Sequence, residues 1–170
     1  MFKTNILLTG KHAGYLKRYS VDKQAEDQFE FVVNDTQGSK KKIHVFDTMI
    51  QTYMCAAMLG IIDGRSAPED KTTPTTANMF ADVVMKNASN LKRIVQFMIL
   101  STDDSEVDQR IKNAFTIEKN ENEIQEELNS FARGGLEIID EYFNDCQTYS
   151  DVAYKLLEIM DDYELKVNFD

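Results

Sequence analysis

Hydrophobic positions fall into two regimes along the chain: an irregular front, then a long run of helical spacing. From Phe46 to Ile62 the residues Phe46, Ile50, Tyr53, Met54, Ala57, Met58 and Ile61 recur at steps of three and four. That is the repeat of one helix face. Asp47 or Thr48 can cap its start, and Gly60 or Gly64 can end it. The same spacing predicts a helix over Thr76–Lys86, with Met79, Phe80, Val83 and Val84 inward. Another is predicted over Ser89–Leu100, with Leu91, Ile94, Val95, Met98 and Ile99 aligned. Phe97 and Leu100 widen its apolar surface, which predicts the most central helix of the fold. A shorter helix over Ser105–Phe115 follows the cap candidates of 101–104.

The longest predicted helix runs over 120–144, with the seam Ile124, Leu128, Phe131, Gly135, Ile138, Ile139, Tyr142. Its phase carries through Gly134-Gly135, so one helix is expected despite a cost of about 1 kcal/mol per glycine. A last helix opens at Thr148-Tyr149-Ser150-Asp151, a capping box with Asp in place of Glu. Val152, Leu156, Ile159, Met160 and Tyr163 are predicted inward. In the front, Ile6-Leu7-Leu8 reads as a strand start, or Tyr15, Leu16 and Tyr19 as one side of a short helix. Gly10 and Gly14 weaken both readings. Phe29–Val33 and Ile43-His44-Val45 flank the turn residues 34–39 and predict a small hairpin.

Two prolines and seven glycines are few for a sandwich or barrel. The expectation is an all-α or nearly all-α fold of five to six helices, with a small N-terminal β-hairpin. It is read as a single helical domain over 1–170, less regular over 1–45 and a helical core over 46–165. Cys55 reads as a small core residue, and two cysteines suggest no disulfide framework. No apolar stretch is long enough for a bilayer, and the N-terminus is too short and polar for a secretion signal. A cytoplasmic protein is expected.

Charge changes this picture most. Residues 1–102 carry 13 Lys and Arg against 10 Asp and Glu, a net of +3. Residues 103–170 carry 6 against 19, a net of −13. The resulting field can steer and orient partners, though it encodes no chemistry. Overall acidity argues against tight non-specific DNA binding.

Catalytic patterns are weak. His12, His44, Cys55 and Cys146 have no metal-ligand spacing, and no calcium loop is present. Thr9-Gly10-Lys11 lacks the first glycine and the following Ser or Thr of a phosphate loop. Glu69-Asp70-Lys71 and Glu164-Leu165-Lys166 spell E-x-K, but the first lies in a loop and the second at a helix end, where a metal nuclease needs a strand. No GxSxG elbow occurs. Binding features are more suggestive. Arg133-Gly134-Gly135 offers an arginine beside open backbone, and Arg65 sits in a glycine turn. For the glycines, close helix packing is the commoner reading. Lys40, Lys41, Lys42, Lys92 and Arg93 are basic points that could reach phosphates if they converge.

Four segments carry a resemblance: Gly10-Lys11-His12-Ala13-Gly14-Tyr15; Thr52 to Gly60 with its Gly64-Arg65 turn; Asn78-Met79-Phe80-Ala81-Asp82; and Phe131-Ala132-Arg133-Gly134-Gly135. The chain resembles small bacterial proteins encoded beside DNA-modification and anti-phage defence genes, in particular the DNA phosphorothioation-associated proteins. The resemblance implies a non-catalytic accessory or adaptor subunit without cofactor, working with a larger protein such as an ATPase or nuclease. Arg65 and Arg133 are the expected recognition residues, with Gly134 and Gly135 shaping the backbone. The alternatives are direct nucleic-acid binding by the basic front, or an acidic DNA mimic that inhibits a DNA-binding enzyme.

Overall fold

Helix dominates the computed structural model, which describes residues 2–21, 29–34, 40–117 and 120–167. Within these, the side chains of Val33, Asn34, Lys41 and residues 163–167 lie outside the description. The element order is β1 (Ile6–Thr9), α1 (Gly10–Tyr19), β2 (Glu30–Asn34), β3 (Lys40–His44), α2 (Met49–Asp63) and β4 (Thr76–Met79). Then follow α3 (Ala81–Lys86), α4 (Ala88–Thr102), α5 (Val107–Thr116), α6 (Glu121–Phe143) and α7 (Tyr149–Val167). The mostly helical fold with a small hairpin near the front is as the sequence predicts, but the described residues form seven helices where five to six are expected, and a second two-stranded sheet of β1 and β4.

The expected hairpin forms, β2 pairing antiparallel with β3 from Glu30↔His44 to Asn34↔Lys40. Its connecting turn lies outside the described residues. Phe29 docks it on the core, its ring 5.4 Å from that of Tyr19 and 6.5 Å from that of Phe143.

The core is built on α2 against α6. Small residues face each other there, so the backbones approach until a side chain would not fit. A Cβ on Gly135 would fall inside contact distance of the Ala56 carbonyl, and one on Gly60 inside that of the Phe131 carbonyl. Ala56, Ala57 and Ala132 complete the seam and are fully buried. Gly64 ends α2 in the left-handed conformation (φ 63°) that glycine adopts without strain. Of the two terminators read from sequence, Gly64 is therefore the stop, and Gly60 is a packing residue.

Three predictions are corrected. First, α6 and not α4 is the central helix. Ala132, Arg133, Gly134, Gly135 and Leu136 are all buried, whereas Lys92, Arg93 and Phe97 of α4 face solvent. Second, Thr76–Lys86 is strand then helix. Ala77 and Met79 are buried on β4, which pairs antiparallel with β1 (Ile6↔Met79, Leu8↔Ala77), and Phe80 is exposed at the junction. Third, α7 is turned relative to the predicted seam. Val152 is buried and Ile159 packs on the core, but Leu156 and Met160 are exposed. Tyr163 lies outside the described side chains.

Candidate functional site

The most concentrated polar chemistry lies where α1, the loop after α2, and α6 meet. Its centre is Glu137 of α6. One carboxylate oxygen accepts from Lys11 Nζ at 2.8 Å and His12 Nε2 at 3.1 Å. The other accepts from Arg65 Nη2 at 3.1 Å. Arg65 also grips Glu141, one turn on, with both terminal nitrogens at 2.6 and 2.7 Å. Asp140, immediately before Glu141, accepts from Tyr19 Oη at 2.7 Å and lies 3.7 Å from Arg18. Cations of the basic front are thus neutralised by acids of the acidic back.

Burial disfavours the charged form of Glu137, yet the bonds from Lys11 and His12 outweigh it and bring the carboxyl down to about 2. His12 is 1% exposed, and burial lowers its basicity below the ordinary histidine range despite Glu137. It therefore sits as a neutral ring donating Nε2–H, with Nδ1 unpartnered among the described residues.

Asp70 supplies the anion at the start of α1. Its carboxylate accepts from the Lys11 backbone N–H at 2.5 Å and the Thr72 N–H at 2.9 Å, and these bonds bring it to about 2. A phosphate loop would place phosphate at such a helix start, and here the protein's own carboxylate sits there. Gly10 makes this possible with φ 63°, and a Cβ there would strike Asp70. Gly10→Ala should cost about 1–3 kcal/mol through left-handed strain alone. Urea unfolding of the variant checks it. Of the E-x-K candidate, Glu69 and Lys71 pair with each other at 3.0 Å.

The predicted recognition residues come together, but facing inward. The segment after Gly64 lies along α6: Ala67 N–H donates to Ser130 O at 2.9 Å, and Arg133 Nε donates to Ala67 O at 2.7 Å. The Arg133 guanidinium also meets Glu126 at 2.7 Å and is 4% exposed. Gly134 lies directly beneath the Arg65 carbonyl. Gly134 and Gly135 therefore serve close packing within a continuous helix, as the commoner sequence reading holds. Only Arg65, half-buried on Glu137 and Glu141, reaches the surface.

The basic points lie on two elements. Lys40 and Lys42 are exposed on β3, and Lys42 pairs with Glu30 at 2.7 Å. Lys92 and Arg93 are exposed on α4. The side chain of Lys41 lies outside the description. Among the described residues no cluster of His, Cys, Asp or Glu could hold a metal, and no helix is long and apolar enough to cross a membrane.

What the sequence reading missed is apolar surface. On α7, Leu157 and Met160 are 57% and 65% exposed, with Tyr149 and Leu156 beside them. Val152 and Ile159, seven residues apart, occupy only the edge of this face that meets α6. Exposed Asp161, one turn after Leu157, borders it, while Glu158 lies on the far side of the helix and pairs with Lys155 at 2.7 Å. On α5, Val107, Ile111 and Phe115 make a second outward stripe.

A family model described as DNA sulphur modification system-associated protein 4 matches residues 23–169. The chain belongs to this family. The match takes in the hairpin and α2 to α7, and so both apolar faces and the Arg65–Glu137–Glu141 part of the network. It begins after β1 and α1, so Lys11 and His12 fall outside it. No curated protein and no solved structure matches the chain. The family description bears out the resemblance to phosphorothioation-associated proteins.

Proposed function

We propose that this member of the DNA sulphur modification system-associated protein 4 family is an accessory subunit that binds a larger protein of that system and performs no catalysis itself. The observation that carries the reading is the uncovered half of α7. Contiguous exposed apolar side chains mark interaction surfaces when polar residues rim them. Here Tyr149, Leu156, Leu157 and Met160 are exposed together, with Asp161 at the border. The partner is a protein presenting an apolar surface flanked by Lys or Arg, since the half-chain carrying α7 has a net charge of −13. An ATPase or nuclease of the system is the expected class, and DNA is reached only through it.

The internal use of Arg133 moves recognition away from the Arg133-Gly134-Gly135 segment and on to α7. Direct nucleic-acid binding by the front is less favoured. Lys42 already has a carboxylate partner, and Lys11, Arg18 and Arg65 are turned towards α6.

The test is co-purification of the tagged chain with the other proteins of its system after nuclease treatment. The wild type should retain a stoichiometric partner. Leu157→Asp with Met160→Asp should weaken that partner's binding about 30-fold or more, the scale of an interface hot spot, with the circular dichroism unchanged. Capture that disappears with nuclease, or survives the double substitution, counts against the proposal.

A further inference from the structure

Helix α5 is amphipathic, but its apolar side points away from the protein. Val107, Ile111 and Phe115, at steps of four, are 63%, 46% and 62% exposed. The side facing the body is largely polar: Arg110 and Asn113 are half-buried there, and Ala114 is the buried residue of the helix. Those polar side chains fix the rotation of the helix. Asn113 Nδ2 donates to Asp103 Oδ2 at 2.8 Å, and Arg110 Nη2 donates to Ser105 O at 3.0 Å. Turning the stripe inward would break both bonds, so it is held outward.

We infer that α5 is a self-association surface, docking antiparallel on α5 of a second copy of this chain. Charge decides the occupant. Asp108 and Lys112 lie one turn apart on the same flank of the stripe. A two-fold axis across the helices, near Ile111, keeps that flank facing its own copy and reverses the chain direction. Asp108 then meets the second copy's Lys112, and Lys112 the second copy's Asp108, while Val107 lies against the second copy's Phe115. The pattern is self-complementary. The α7 face is not, because Asp161 at its border has no Lys or Arg three or four residues away, so an antiparallel copy brings no base to meet it. The two surfaces therefore take different partners, and this inference stands independently of the one made for α7.

Three apolar side chains make a small interface, below the roughly 1,200 Å² of a standard stable one. The dimer is accordingly weak and concentration-dependent, and sedimentation over a wide concentration range is the experiment. The wild type should show a reversible monomer–dimer equilibrium. Ile111→Glu, an exposed substitution that leaves the fold intact, should stay monomeric throughout. Asp108→Lys and Lys112→Asp should each weaken the dimer roughly fivefold by setting like charges together, and the double swap should restore it. A wild type that is monomeric at every concentration overturns the inference. So does a dimer indifferent to Ile111→Glu, or single charge variants that the double swap fails to rescue. Association with an unrelated protein through α5, without self-association, would reassign the surface and equally overturn it.

Discussion

Gly135→Ala should destabilise the protein by more than about 3 kcal/mol, although alanine is the better helix former by about 1 kcal/mol. The added Cβ meets the Ala56 carbonyl and Cα, which are backbone atoms of α2 and cannot swing aside. The helices must part, and parting them opens voids along Ala57, Ala132 and Gly60. Overpacking that forces side chains off their rotamers and shifts backbone costs about 1–3 kcal/mol and occasionally more, and contact with backbone atoms of a packed helix puts this site in the upper tail. Gly135→Leu should abolish folding. Gly14 of α1 is the internal control. Among the described residues no atom lies within 4 Å of a Cβ placed there, so Gly14→Ala should gain about 0.4–1 kcal/mol. Denaturant midpoints of the two alanine variants should move in opposite directions. A neutral Gly135→Ala would mean that α2 and α6 are not packed backbone to backbone.

The second large effect is loss of stability in acid. Glu137 ionises near 2 in the folded protein against an ordinary 4.5. A lowered carboxyl contributes stability that is complete above the unfolded value and lost as pH falls from about 4.5 towards 2. The shift corresponds to about 3 kcal/mol as an order of magnitude. His12 acts with the same sign. Its folded form resists protonation, so below about 6.5 the unfolded chain takes up a proton that the native state refuses. Stability should therefore decline in two stages as pH falls. Glu137→Gln should remove Glu137's own share of the lower stage, leaving that of Asp70 and Glu141, and lower stability at neutral pH by up to about 3 kcal/mol, since it leaves Lys11 and Arg65 without their shared carboxylate. Thermal unfolding of both proteins from pH 7 to 3 measures this. Parallel curves for wild type and variant would remove Glu137 as the centre of the network.

Much of the architecture was legible, because helical spacing and caps are local signals. The α2 pattern, the unbroken α6 phase and the β2–β3 hairpin were all readable. The failures share a cause, in that each depended on what lies opposite an element. Gly10 and Gly14 read as breakers, but Gly10 sits at the start of α1, where its positive φ turns the chain. Met79 and Val83 suggest a helix by their spacing of four, yet pairing with β1 makes Ala77 and Met79 alternate on a strand. The apolar count of α4 exceeded its cover, whereas the glycines of α6 admitted a neighbour on a second side. The charge division was visible, but not its use. Lys11, Arg18 and Arg65 find Glu137, Asp140 and Glu141 across long stretches of chain, and no spacing rule pairs them. A fainter signal was present, since Glu137 and Glu141 stand one turn apart in the stretch Phe131–Phe143 of α6, whose other positions are mostly apolar.

The exposed half of α7 follows the same logic. Leu156 and Met160 lie on an apolar face much wider than the strip that α6 covers, and the proposed partner supplies the missing cover. Hydrogen exchange of the chain, free and in its nuclease-treated complex, tests this most directly. The account predicts slowed exchange over residues 149–162 in the complex. Unchanged exchange there, with protection appearing over 40–44 and around Lys92 and Arg93 only when DNA is added, would contradict it.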